Sequence, residues 1–452
     1  MSKRRRAAAS RPLPATRDAD DASLGQESAA RAHRWVLAGI LALFFGWGIT
    51  YLVVNPWNGG MDELLHRNYV QVLAEERRLP WIDAYGARYR EAHAMHPPAY
   101  YITLVPVYWA FSWSEPVLQR VMRACSLVYG AITIVLVFRI ALRAFRGDLP
   151  LAAAATAFVA LTPLYLCMGS MVNNDVPSVL VVVWLLYLGL VCWDGPLTWK
   201  RVCALGAVAG IAGLTKGTSE VAAVVAGSYL VYSGSRSLGR GPALVRVAAF
   251  VAIAVAIVAP WHARNLALYG SLSYMPRDAK PAYLPVDEGI LVCLMFDNFP
   301  RVLRFTVKWI LNTLWSQKEW IPEPIRTGLY RVLWGAVIGG GVLGAVARRA
   351  VPTAHDGRTW VAQFWVGAPL YAMAVYIACF IHMGWAMGGR YLLPMLPGVA
   401  LLMCAWGPLL RGRLAPAKWA LVAIVVLGGM VLNAICLHEL AYVLIPMHQL
   451  PA

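Results

Sequence analysis

Side chains able to move a proton or hold an anion are sparse in this chain, and they gather in a few short stretches. Asp62, Glu63, His66 and Tyr69 lie in GGMDELLHRNY, and His93 and His96 in EAHAMHPPAYY. Asn173, Asn174 and Asp175 lie in MVNNDVP, Lys216 in GLTKGT, His262, Arg264 and Asn265 in PWHARN, and Arg390 in MGGRYLLP. If MDELLHRNYVQVL is helical, Asp62, His66 and Tyr69 share one face, because residues three and four apart are neighbours on a helix. Such a face holds a carboxylate base with an imidazole beside it. Asp62 and Glu63 equally suit the positive first turn of a surface helix opening after the Asn58-Gly59-Gly60 turn. His96-Pro97-Pro98 forces an extended entry into the aromatic run that follows, whether or not His96 meets a ligand. The Asn173-Asn174-Asp175 group, just before Pro177, caps the next helix, presents a carboxylate, or does both.

Lys216, Arg264 and Arg390 each adjoin a long apolar run. Their stems can snorkel to lipid headgroups. Three cations in such places also suit one anion, and a phosphate is the simplest: Arg264 and Arg390 offer bidentate hydrogen bonds, and Lys216 a point charge.

The elements that must position these residues are membrane helices. Hydrophobic residues make up 59% of the chain and charged ones only 14%, and the mean hydropathy is +0.57, which excludes an ordinary soluble domain. The formal charge of +17 sits mostly at the ends of apolar runs and lacks interleaved aromatics, so it marks topology and anionic headgroups, not nucleic acid. The 8 Cys have no paired or C-x-x-C spacing, and neither a disulfide framework nor a zinc site follows.

Spans are expected at about 35–55, 117–138, 151–170, 177–193, 202–214, 219–233, 245–261, 328–347, 361–381, 391–410 and 418–437. The fold class is therefore an all-α integral membrane bundle of about 11 transmembrane helices. PAYYITLVPVYWAFSW, from Pro98 to Trp113, is short and interrupted by Pro106, so it reads as an interfacial or re-entrant segment. With that choice Arg139, Arg143, Arg146, Lys200, Arg201, Arg236, Arg240, Arg348, Arg349, Arg411, Arg413 and Lys418 all face the cytoplasm with the amino terminus, as the positive-inside rule requires. The carboxyl terminus then lies outside. Two external segments, about 56–116 and 262–327, carry amphipathic helices lying on the membrane, one of them RVLRFTVKWILNTLW at 301–315 with Val302, Phe305, Trp309 and Asn312 on one face. Residues 1–33 are polar, Pro-containing and non-periodic, a disordered basic arm in the cytoplasm. Residues 34–452 form the transmembrane module, with no separate soluble domain. On this topology nearly every residue of the opening paragraph falls outside.

In order, DE-x-x-H-x-x-Y, HPPAYY, NND, LTKG, PW-x-x-RN-x-x-x-YG and GGRYLLPMLP resemble the GT-C superfamily of membrane glycosyltransferases over about residues 35–410. The resemblance is to its phospholipid-carrier-dependent branch, similar to protein O-mannosyltransferases and the lipid A aminoarabinose transferase. It implies a polyprenyl-phosphate-linked sugar donor, a lipid or glycan acceptor, a bacterial inner-membrane location and an active site on the external, periplasmic face. It implies that Asp62 is the catalytic base with Glu63 as its neighbour, that Asp175 is the second loop carboxylate, and that Lys216 holds the carrier phosphate. Arg264 and Arg390 carry over as further phosphate ligands. The chain departs from many relatives in ending soon after its last span, which leaves the acceptor open.

The chemistry implied is inversion in one step. A sugar phosphate already carries a stable leaving group, so a single base suffices where glycoside hydrolysis uses two carboxyl groups. His66, Tyr69, His96 and Asp175 are expected to orient the sugar. A divalent metal, held by Asp62, His66, His96 and Asp175, is a less favoured use of the same residues because they must converge from separate loops. A transporter or flippase of a lipid-linked anion is the rival reading. It calls for polar residues through the middle of the spans and an internal repeat, whereas the mid-span residues here are mostly Ala, Val, Leu and Gly.

Overall fold

A computed structural model describes residues 16–56, 62–81, 91, 93–193, 195–270, 272, 323–350 and 389–444. The helices are α1 (Thr16–Val54), α2 (Glu63–Glu76), α3 (Ala99–Phe111), α4 (Glu115–Ala144), α5 (Leu149–Ala160), α6 (Pro163–Gly169) and α7 (Asp175–Trp193). They continue with α8 (Trp199–Thr215), α9 (Glu220–Ser237), α10 (Arg240–Tyr269), α11 (Glu323–Ala350), α12 (Leu396–Met403) and α13 (Ala417–Glu439). Among the described residues there is no strand.

Seven helices are long and apolar enough to cross a membrane, and eight if α5 and α6 count as one span bent by 59°. α8 and α9 match two further expected spans but fall short of that test. The expected span at 361–381, the surface helix at 301–315 and most of the segment 262–327 lie outside the described residues. α3 is a short apolar helix of 13 residues, in keeping with an interfacial or re-entrant piece. The first helix begins at Thr16, so the second half of the arm expected to be disordered is helical.

α5 and α6 occupy the middle of the bundle, with Leu151, Ala152, Ala154, Ala155, Leu166 and Cys167 fully buried. The bend between them follows from Pro163, which cannot continue the hydrogen-bond ladder of α5. In a membrane, carbonyls at such a break need a protein donor. Asn433 of α13 supplies one, its Nδ2 lying 2.8 Å from the Leu161 carbonyl, while its Oδ1 accepts from the Tyr51 hydroxyl of α1 at 3.0 Å. α8 approaches α10 closely through glycine: a Cβ at Gly210 would fall 2.6 Å from Cβ of Ile257, and one at Gly206 2.9 Å from the Phe250 carbonyl oxygen. Small residues at such crossings let packing replace the hydrophobic drive that lipid does not supply.

Because the helices run up and down, alternate connections lie at the same end. The starts of α2 and α7 meet the ends of α1, α6 and α8 at one end of the bundle. At the other end Lys418 pairs with Asp148, Arg143 stacks on Tyr187, and Arg246 donates to the Leu197 carbonyl and stacks on Trp199.

Candidate active site

The α2 face expected to hold a base begins in an uncommon backbone conformation. Asp62, just before α2, has φ 58 and ψ 11, the left-handed region that Asp and Asn tolerate better than other side-chain-bearing residues. This leaves its carboxylate 43% exposed while the next residue turns inward. Glu63 is completely buried. Its Oε1 accepts from Arg123 Nε at 2.7 Å and from the Val172 amide at 3.0 Å, and its Oε2 accepts from Arg123 Nη2 at 2.6 Å and Gln119 Nε2 at 2.9 Å. Arg123 also donates to the carbonyls of Leu52, Asn55 and Pro56 at 3.0, 3.0 and 2.8 Å. Glu63 was expected to work beside Asp62 in catalysis. In the structure its oxygens are taken up in joining the end of α1, the start of α2, α4 and the turn before α7.

That turn brings in the second carboxylate. Asn173 Oδ1 accepts from the Asp175 amide at 2.9 Å and its Nδ2 donates to the Met168 carbonyl at 2.8 Å, so the turn opens α7 and presents Asp175 at once. Asp175 is buried and accepts from Lys216 Nζ. Lys216 ends α8 in an extended conformation, with φ −159, which carries its side chain off the helix. The other oxygen of Asp175 lies 4.0 Å from Arg390 Nη1, and Arg390 Nη2 lies 3.1 Å from Asp62 Oδ2. Asp62, Arg390, Asp175 and Lys216 therefore form a row of alternating charge drawn from distant parts of the chain. Beneath it lies Tyr391, whose ring centroid is 4.4 Å from Lys216 Nζ and 5.1 Å from the Arg390 guanidinium. Tyr391 Oη also accepts from Arg390 Nη2 at 3.3 Å. Asn174 is buried beside Asp175, and its Nδ2 has no partner among the described residues, a donor whose desolvation is uncompensated in the ligand-free protein.

Three imidazoles pack close to this row. The His66 ring lies 4.5 Å from His93 and 5.6 Å from His96, and His93 lies 4.8 Å from His96, centroid to centroid. His66 Nδ1 is hydrogen bonded to Tyr101 Oη at 2.7 Å. Tyr69 stacks on Tyr101 at 3.8 Å and donates to the His96 carbonyl at 3.1 Å. Burial holds both His66 and His96 well below the usual 6.5, and the neighbouring rings and the Lys216 and Arg390 charges push the same way. These histidines are neutral at pH 7 and can donate or accept one hydrogen bond at each nitrogen. Among the described residues no group of three or more His, Cys, Asp or Glu side chains is arranged to hold a metal ion. Asp62 and Asp175 instead have the Arg390 guanidinium between them.

Arg264 makes a different set of contacts, near enough to Tyr69 for its charge to act there. Its Nη2 donates to the Pro80 carbonyl at 2.5 Å, its Nη1 to Asn265 Oδ1 at 3.3 Å, and its guanidinium stacks on Trp261. This departs from the expectation that it joins Lys216 and Arg390: it ties the end of α2's loop to α10. His262 pairs with Glu220 at 3.1 Å and with the Leu272 carbonyl at 3.0 Å. Sequence reasoning missed Arg123, Gln119 and Tyr391. Arg123 carried a usable signal, since a cation inside an apolar run demands a buried partner, and Glu63 is that partner.

The helical bundle, its bent central pair and the polar end built from the first loop define a membrane protein with the GT-C fold, as the motif resemblance implied. Residues 114–261, from α4 into α10, match the sequence profile of the family described as dolichyl-phosphate-mannose-protein mannosyltransferase. Among solved structures the chain is similar to the oligosaccharyltransferase AglB from Archaeoglobus fulgidus in complex with an inhibitory peptide and a dolichol-phosphate. The TM-score is 0.55 at 15% identity, over 90% of this chain and 56% of that one. A second structure of that oligosaccharyltransferase, in complex with Zn and sulfate, gives 0.51 at 13% identity over 89% and 53%. ArnT from Cupriavidus metallidurans in the apo state gives 0.50 at 17% identity over 89% and 78%. This chain thus spans about half the length of the archaeal oligosaccharyltransferase. No curated protein sequence matches it.

Proposed function

We propose that the protein is an inverting glycosyltransferase that moves a sugar from a polyprenyl-phosphate-linked donor to a lipid or glycan acceptor. The observation that carries the reading is the row Asp62–Arg390–Asp175–Lys216, with a half-exposed carboxylate at one end and two cations fixed on one tyrosine ring. The GT-C fold and the partial family match support it, as does a similar fold seen with dolichol-phosphate bound.

Asp62 takes the proton of an acceptor hydroxyl as its oxygen attacks the anomeric carbon. The bond from that carbon to the phosphate oxygen breaks, its electron pair stays on the phosphate, and the anomeric centre inverts. Lys216 and Arg390 stabilise the departing phosphate through charge-assisted hydrogen bonds in a site of low dielectric. Asp175 holds both cations in place, and Asn174, with its unsatisfied amide, binds the donor. His66, Tyr69 and His96 orient the sugar. Glu63 and Arg264 are positioning residues: the first fixes the loop that carries Asp62, the second the segment around Pro80.

The site faces the periplasm of a bacterial inner membrane, with the amino terminus in the cytoplasm and the carboxyl terminus outside. The basic residues at the opposite end of the bundle, with the positive-inside rule, support this orientation. The test is transfer of labelled sugar from a panel of polyprenyl-phosphate sugars by the purified protein. Transfer from at least one donor, with inversion at the anomeric carbon, is expected. Intact donors throughout the panel would overturn the reading.

A further inference from the structure

Arg390 is asked to bind a phosphate, yet Asp62 Oδ2 already lies 3.1 Å from its Nη2, the nitrogen that also reaches Tyr391 Oη. The row holds two carboxylates and two cations, so its own formal charge sums to zero, and both cations already carry a carboxylate. A phosphate therefore has to replace a carboxylate on a cation. The two carboxylates differ in how easily they leave. Asp175 is 3% exposed, receives Lys216, and sits in the capped first turn of α7, where release would leave a buried charge without a partner. Asp62 is 43% exposed, lies at the end of the row, and accepts from Arg390 through one oxygen, Oδ2, at 3.1 Å. Water can solvate it when it leaves.

We infer that the Asp62–Arg390 ion pair is a latch which the donor's phosphate opens. The inference rests on the proposed function and adds an order to it. Phosphate oxygens take the guanidinium edge that Asp62 held, for which Arg is suited by its fork of donors. Asp62 is thereby released as a free carboxylate next to the anomeric carbon. Before the donor is seated, Asp62 Oδ2 is engaged by Arg390. After it is seated, base and leaving-group contacts are in place together. Donor binds first and acceptor second.

The experiment is equilibrium binding of a polyprenyl phosphate, without sugar, to the detergent-purified full chain. Wild type is compared with Asp62→Asn and with Glu220→Gln, a carboxylate near Lys216 that does not touch Arg390. Asn tolerates the left-handed turn at position 62 as Asp does, so the fold is retained. The latch predicts that Asp62→Asn binds about twofold to fivefold tighter than wild type, the size expected for a partly exposed ion pair. Glu220→Gln is predicted to bind like wild type. Equal or weaker binding by Asp62→Asn overturns the latch and leaves the glycosyltransferase reading standing. Equal tightening by Glu220→Gln also overturns it, because any lost negative charge would then do the same. A wild-type protein that binds no polyprenyl phosphate overturns both.

Discussion

The two ends of the bundle use the same residue types to opposite effect. At the basic end, Lys418 pairs with Asp148 across side chains 14% and 22% exposed, while Arg143 and Arg246 lie on aromatic rings. At the other end, the Lys216–Asp175 and Arg123–Glu63 pairs are almost wholly buried. Snorkelling cations that anchor helix ends need only a wet surface and a ring to lie on. Buried pairs carry a desolvation cost of several kcal/mol for each ion, which close mutual attraction and further hydrogen bonds must offset. A fold accumulates such pairs at one end where it has to hold charge in a fixed place, and there a half-exposed carboxylate stands beside them.

Substitutions that treat the ends alike put this contrast at risk. The largest stability effect is expected at the Glu63–Arg123 clamp. Arg123→Leu strands Glu63 in the interior and should cost about 3–5 kcal/mol, read by thermal unfolding in detergent. An unaltered unfolding temperature would remove the clamp from the account. Lys216→Met leaves one cation for the leaving phosphate and should slow sugar transfer by about 100-fold or more, with a loss of stability as well because buried Asp175 keeps only Arg390 nearby. Comparable turnover in that variant and wild type would argue that Lys216 only snorkels.

A smaller effect concerns acid. His66 and His96 are held below 6.5 in the folded protein, so the unfolded chain takes up protons first as pH falls. Their contribution to stability is fully present above about pH 6.5 and is lost as pH drops below it. The unfolding temperature should decline between pH 7 and pH 5, and His96→Gln should flatten that slope. The smallest effect is expected at the basic end. Lys418→Met, which leaves Asp148 still reachable by water, should cost less stability than Arg123→Leu and leave transfer unchanged, and a marked loss of transfer there would erase the distinction between the ends.

Much of this was legible in the sequence. Asp62, Asp175, Lys216 and Arg390 stand out because each is a costly polar residue beside an apolar run, and the positive-inside rule assigned them one face before any fold was known. Charge and hydropathy are properties of a residue and its neighbours in the chain, so they survive without a structure. Pairing is not. Glu63 reads as half of an acidic doublet until Arg123, 60 residues on, is seen to bind it. Arg264 has the same local setting as Arg390, yet the Pro80 carbonyl takes its guanidinium. Tyr391 was hidden as one aromatic among many, and only the fold, which brings Lys216 at the end of α8 over the ring in the 3-10 turn at Gly389–Met395, gives it two cations.

The central claim is that the half-exposed carboxylate at the polar end is the base. It is tested most directly by sugar transfer in Asp62→Asn beside Asp148→Asn, a matched substitution at the other end. The account predicts a loss of about 100-fold or more for the first and wild-type transfer for the second. Transfer by Asp62→Asn at the wild-type rate would contradict it.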